Sequence, residues 1–225
     1  MNGRLSADHA SRTTRGSVPG GVFCAVAGGL HLVKAVLDLV VQEPPAEPSR
    51  LPEWVEAHRV ALMATNEILA VGAVALIPAV LALYRALRGS DGLGAASGCA
   101  LLGLTVPVGM LLVVVHGRLV YPAYGIELDD PPTLALVVVL YYGGVHLVAL
   151  LWGCALLVLA AAMRKAGWGR AAVIVGVVAG LAQLAGSFPW VLGPALVFPL
   201  QALLTVWLGL TGWRLARPPA PSPVG

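Results

Sequence analysis

The chain has 225 residues, of which 58% are hydrophobic and only 11% charged, with a formal net charge of +3. Water-soluble domains run at about 45–50% apolar and about 25% charged, so an ordinary soluble enzyme and a disordered chain are both excluded. With a mean hydropathy of +0.85, what remains is an all-α, polytopic membrane helix bundle.

A membrane-crossing helix needs roughly 20 predominantly apolar residues. Residues 1–18 are polar and basic and are read as a cytoplasmic tail. They could imitate the start of a signal peptide, but the apolar run that follows has no clean small-residue cleavage site, so it is read as an uncleaved first span. Six spans are predicted, at 19–42, 59–86, 93–120, 132–163, 169–187 and 190–213, forming one transmembrane domain over 19–213. Pro and Gly punctuate the gaps ("EPPAEPSRLPEW", "RGSDGLG", "DDPPT"), and "SFPW" is short enough to force a tight hairpin between the last two spans. Residues 214–225 read as a Pro-rich cytoplasmic tail. Pro78, Pro107, Pro194 and Pro199 sit within spans and should kink them. The spacings Gly94-x-x-x-Gly98 and Gly176-x-x-x-Gly180 suit close helix packing.

Ten basic residues fall on one side of this layout (Arg4, Arg12, Arg15, Arg85, Arg88, Arg164, Lys165, Arg170, Arg214 and Arg217) and three on the other (Arg50, Arg59 and Arg118). The positive-inside rule then puts both termini in the cytoplasm of a bacterial inner membrane. The basic balance is a topology signal, and no nucleic-acid partner is expected. Cys24, Cys99 and Cys154 form no C-x-x-C motif and read as small buried hydrophobes.

Ionisable side chains inside a span are costly unless they face the bundle interior or water, which makes each a functional candidate. His31, Lys34 and Asp38 share one helical face, and Lys34 and Asp38, four apart, can form an ion pair. Glu67, beside Asn66 in "MATNEILAV", lies roughly 12 Å inside the outer end of its span. Two readings of Glu67 compete: a desolvated proton donor, or a structural partner of Lys34 at matching depth. His116 closes the third span, where Arg118 can snorkel to the headgroups. Tyr142 and His146 share a face of the fourth span with Tyr141 beside them, and Gln183 and Gln201 sit on the fifth and sixth. Nearly all these groups fall in the outer half or at mid-depth, above a cytoplasmic half of Ala, Val, Leu and Gly. That pattern predicts a polar pocket, closed below and opening outward or sideways, and it argues against a through-channel. The pocket wall is expected to include Tyr141, Tyr142 and Trp190; Trp54, Tyr121 and Tyr124 are assigned to the interfacial belt.

No G-x-S-x-G, H-E-x-x-H or P-loop motif is present. The histidines lie at different depths, so no metal site is expected. The acidic loop "GIELDDPPT" is read as solvated, and no cofactor is expected.

The layout, ending in "TVWLGLTGWRLARP", is similar to six-span membrane proteins of high-GC bacteria. "TNEILA", with Glu67 in the second helix, resembles the compact membrane-bound terpene cyclases of meroterpenoid and indole-terpenoid pathways. That resemblance implies acid catalysis on a lipophilic, isoprenoid-type substrate, with Glu67 protonating an epoxide or alkene and aromatic faces steadying the cation. Those cyclases have seven spans and a second acid near the end; residues 189–213 contain no acid, so Asp38 would stand in for it. The leading expectation is therefore an intramembrane enzyme with catalytic Glu67, Asp38 and His31, and with Asn66, Tyr141, Tyr142, His146, Trp190 and Gln201 holding substrate. Its partners would be a lipophilic small molecule and membrane lipid. The rival readings are a proton- or ion-coupled transport or binding protein, and a structural accessory subunit.

Overall fold

A computed structural model describes residues 17–217. The expected tails thus lie largely outside the described residues. Among the described residues six α-helices carry the fold: α1 (Val18–Val41), α2 (Leu51–Leu87), α3 (Gly92–Gly117), α4 (Pro131–Lys165), α5 (Arg170–Ala185) and α6 (Pro189–Ala216). A 3-10 turn at Pro48–Arg50 leads into α2.

The starts follow from local chemistry. Ser17 Oγ accepts the Gly20 N–H, Asp91 accepts that of Gly94, and Asp130 accepts that of Thr133; each satisfies an otherwise orphaned first-turn donor. Proline stands in the first turn of α1, α2, α4 and α6, where its missing N–H costs nothing.

Among the described residues five helices are long and apolar enough to cross a membrane, which marks the chain as a multi-pass membrane protein. The sixth, α5, has only 16 residues against the 19 expected for its span. The second span lies inside a 37-residue α2 that begins eight residues earlier, because Leu51 and Val55 already pack inward. The third ends three residues early, at Gly117, where the chain enters turns at 118–120.

Each helix packs on its neighbours in sequence, and α6 packs back on α1, so the six close a ring in chain order with sparse contacts across its middle. The α1–α6 seam closes on glycine. A Cβ on Gly21 would stand 2.5 Å from the Gly212 carbonyl oxygen, and one on Gly212 would stand 2.7 Å from that of Gly21. These backbones touch only because neither residue has a side chain.

Two apolar clusters fill the ends of the ring. At the end that carries the α2–α3 and α4–α5 loops, Leu83, Leu87, Leu102, Leu159, Met163 and Trp207 form a continuous core. At the opposite end Val41, Leu51, Leu62, Leu119, Leu134 and Val138 join α1 to α4. Of the prolines expected to bend helices, Pro194 follows a true break: Gly193 has φ 71° and ψ 161°, a conformation open to glycine alone.

Candidate functional site

Between the two apolar clusters the ring encloses a cavity to which all six helices contribute. It measures about 130 Å³, counted as room for the centres of water molecules. That is far more than a single water needs.

Its polar core begins on α1. His31, Lys34 and Asp38 fall on the inward face, as their spacing predicts. Lys34 Nζ donates to Asp38 Oδ2 at 2.5 Å, with the two side chains 15% and 36% exposed. One turn deeper, His31 Nε2 lies 2.6 Å from Gln201 Oε1 on α6. Gln183 Nε2, from α5, donates to the same oxygen at 3.1 Å. With Gln201 Oε1 acting as acceptor, His31 donates through Nε2 and its Nδ1 is left as an acceptor.

Tyr141 and Trp152 of α4 line the wall opposite. Behind Tyr141 stands His116, with ring centroids 4.6 Å apart. Thr105, Gly109 and Leu112 bring α3 to the cavity, and Ile68, Leu69, Gly72 and Leu76 bring α2. The result is a largely aliphatic chamber with one ion pair, one histidine and two amides at its centre.

Not every candidate reaches it. Glu67 is exposed on the outer face of the bundle, where it accepts a hydrogen bond of 2.9 Å from Tyr121 Oη. At about 100° per residue its side chain points roughly opposite to Leu69 and Gly72, which line the cavity. The competing reading of Glu67 as a partner of Lys34 is not met: Lys34 pairs with Asp38, as its spacing predicts, and Glu67 accepts from Tyr121. Asn66 turns inward but packs under Gly117, with its Oδ1 buried and unpartnered.

His146 and Trp190 also stand away from the cavity lining. His146 Nδ1 bonds the Ser187 carbonyl at 2.7 Å, and its ring packs on Phe188 and Trp190, so the three form an aromatic knot around the α5–α6 turn. Trp190 itself is 53% exposed. Tyr142 meets Tyr141 edge-on and packs toward the apolar cluster of Val41, Leu51 and Leu134. The inward face of α4 is that of Tyr141, Val145, Val148 and Trp152, one residue out of phase with the expected Tyr142–His146 face. Trp152 was missed on that account, although the spacing from Tyr141 reveals it.

Cys24 and Cys99 are buried, but Cys154 is exposed, which corrects its reading as a buried hydrophobe. Among the described residues, no group of three or more His, Cys, Asp or Glu converges as metal ligands would. Arg118 bonds the Tyr121 and Ile126 carbonyls, so it staples its own loop.

Two groups outside the helices have shifted titrations. A hydrogen bond from Lys165, seconded by the Gly94 N–H, holds the Asp91 carboxyl below its ordinary range. Loss of water contact, and then the bond to Glu67, pushes the Tyr121 phenol up.

Comparison with protein-family models, curated proteins and solved structures gave no match.

Proposed function

We propose that the ring takes up a lipophilic small molecule and performs acid–base chemistry on its polar end. The observation that carries this reading is the cavity itself, an aliphatic chamber with Lys34, Asp38, His31 and Gln201 at one level. Such a site suits a ligand with an apolar body and a few convergent polar contacts. The Lys34–Asp38 pair can give a proton to an oxygen of the ligand and recover it, while His31 Nδ1 offers an acceptor. In the isoprenoid form of this proposal, Tyr141 and Trp152 present the aromatic faces that steady a cation. The acid then belongs to the cavity, and Glu67 is assigned elsewhere.

The apolar core between the cavity and the basic end favours a closed pocket over a transport path. All six helices would span the membrane, with both termini cytoplasmic in a bacterial inner membrane. Supporting this topology, Arg85, Arg88, Arg164, Lys165, Arg170 and Arg214 gather at one end of the ring.

The test is metabolite profiling of the native host with the gene deleted and then restored as wild type, Asp38→Asn, His31→Gln or Glu67→Gln. A lipophilic precursor should accumulate in the deletion, Asp38→Asn and His31→Gln strains, and should be consumed with wild type and Glu67→Gln. An unchanged profile in the deletion strain would overturn the enzyme reading. Restoration by Asp38→Asn with failure of Glu67→Gln would return the acid to Glu67.

A further inference from the structure

Glu67 is the only charged residue of α2 between Arg59 and Arg85. The structure sets it on the exposed stripe of that helix, among Val60, Val71 and Val74, which are 80%, 55% and 57% exposed. It lies about 12 Å along the helix from Arg59 and about 27 Å from Arg85, well below the level of the outer headgroups. Its Oε1 accepts from Tyr121 Oη, which descends from the turn after α3. Among the described residues no hydrogen bond or ion pair reaches Oε2.

A carboxylate on an aliphatic stripe at that depth is costly against hydrocarbon, and one phenol supplies only part of what water would. We propose that the Glu67 carboxylate, with Tyr121 occupying only its Oε1, anchors a docking face for a transmembrane helix of a partner protein, one carrying a lysine or arginine at the same depth. Charge complementarity selects this occupant. A second copy of the chain meeting this face isologously sets Glu67 against Glu67, like against like. A head-to-tail contact has no lysine or arginine to offer, because Lys34 is the only one deep within the helices and it is turned inward onto Asp38. The ammonium groups of lipids lie near the level of Arg59, too far out to reach. Val60 and Val71 above and below the carboxylate supply apolar contact for the arriving helix.

The test is energy transfer between the labelled full-length chain in phosphatidylcholine vesicles and a labelled polyleucine transmembrane peptide. One peptide has a single lysine at the depth of Glu67; the control has leucine there. The lysine peptide should associate about tenfold more tightly, as expected for one good polar contact between helices in a bilayer. Glu67→Gln should cut that ratio to about twofold, because an amide keeps a hydrogen bond but loses the charge. Tyr121→Phe removes only the competing donor and should keep the ratio or raise it.

Equal binding of the two peptides to the wild-type chain would overturn the proposal. So would a preference that survives Glu67→Gln, or one that Tyr121→Phe abolishes. Transfer between two labelled copies of the chain that survives Glu67→Gln and excludes the lysine peptide would assign the face to self-association instead. None of these readouts depends on chemistry in the cavity.

Discussion

Gln201 is the residue on which the polar core turns, since its Oε1 serves both His31 and Gln183. Gln201→Leu leaves both partners without that acceptor, and an unmet buried polar group costs about 1–3 kcal/mol. The variant should lose several degrees of melting temperature in detergent, whereas Gln201→Glu, which keeps the acceptor, should lose less. The Lys34–Asp38 pair behaves differently. Removing one partner of a buried pair costs about 3–5 kcal/mol, and the partial exposure of Asp38 lowers that figure. A double-mutant cycle with Lys34→Met and Asp38→Leu should show the double variant well above the sum of the singles. The pair was legible from its i, i+4 spacing on a helix otherwise apolar around it. The direction of Glu67 was not, because one residue of helical phase separates Ile68, which lines the cavity, from a side chain that faces outward. Only the packing of α2 between α1 and α3 fixes that phase.

Among the helices, α6 shows most plainly what sequence patterns leave open. Its four-residue opening turn ends at Gly193, and the longer segment that carries Gln201 begins at Pro194. A side chain at Gly193 meets two obstacles, the positive φ and the Glu43 Oε1 atom 2.6 Å from the Cβ position. Gly193→Ala should cost about 1–3 kcal/mol and lower the melting temperature more than Gly209→Ala, where a Cβ meets nothing within 4 Å. Proline placement made a kink legible; the glycine break preceding it depends on the α5–α6 turn.

At the other end of the bundle, Asp91 caps α3 and holds Lys165 of α4 at 2.9 Å. Its carboxyl titrates below the ordinary value of 3.8, so the stabilisation it provides is complete above that pH and disappears as pH falls through the lowered value. The difference in melting temperature between wild type and Asp91→Ala should therefore be constant from neutral pH to about pH 5 and shrink in more acid solution.

For the molecule as a whole, composition alone made the membrane class legible, and the spacing of apolar runs placed most helix ends within three residues. Ring closure was hidden, because Gly21 and Gly212 are 191 positions apart and match no local motif. The pocket was legible as a level in the bundle, where His31, Lys34, Asp38, Tyr141 and Gln201 do meet. His146 and Trp190 were drawn away by the Ser187 carbonyl and by each other's rings, contacts that sequence spacing does not encode.

The shortness of α5 bears on the lipid around the protein. Sixteen residues reach only about 24 Å, against about 30 Å of hydrocarbon in an average bilayer, while α2 and α4 are more than twice as long. Under the proposed six-span topology, the bilayer beside the α5–α6 hairpin would thin to meet it, at a cost of fractions of a kcal/mol per Å of mismatch. Reconstituted into phosphatidylcholines of increasing acyl length, the protein should melt highest in the shorter-chain bilayers and lose stability stepwise as the chains lengthen. On that topology one flank of the ring would act as a gauge of membrane thickness and favour the thinner regions of the membrane that carries it.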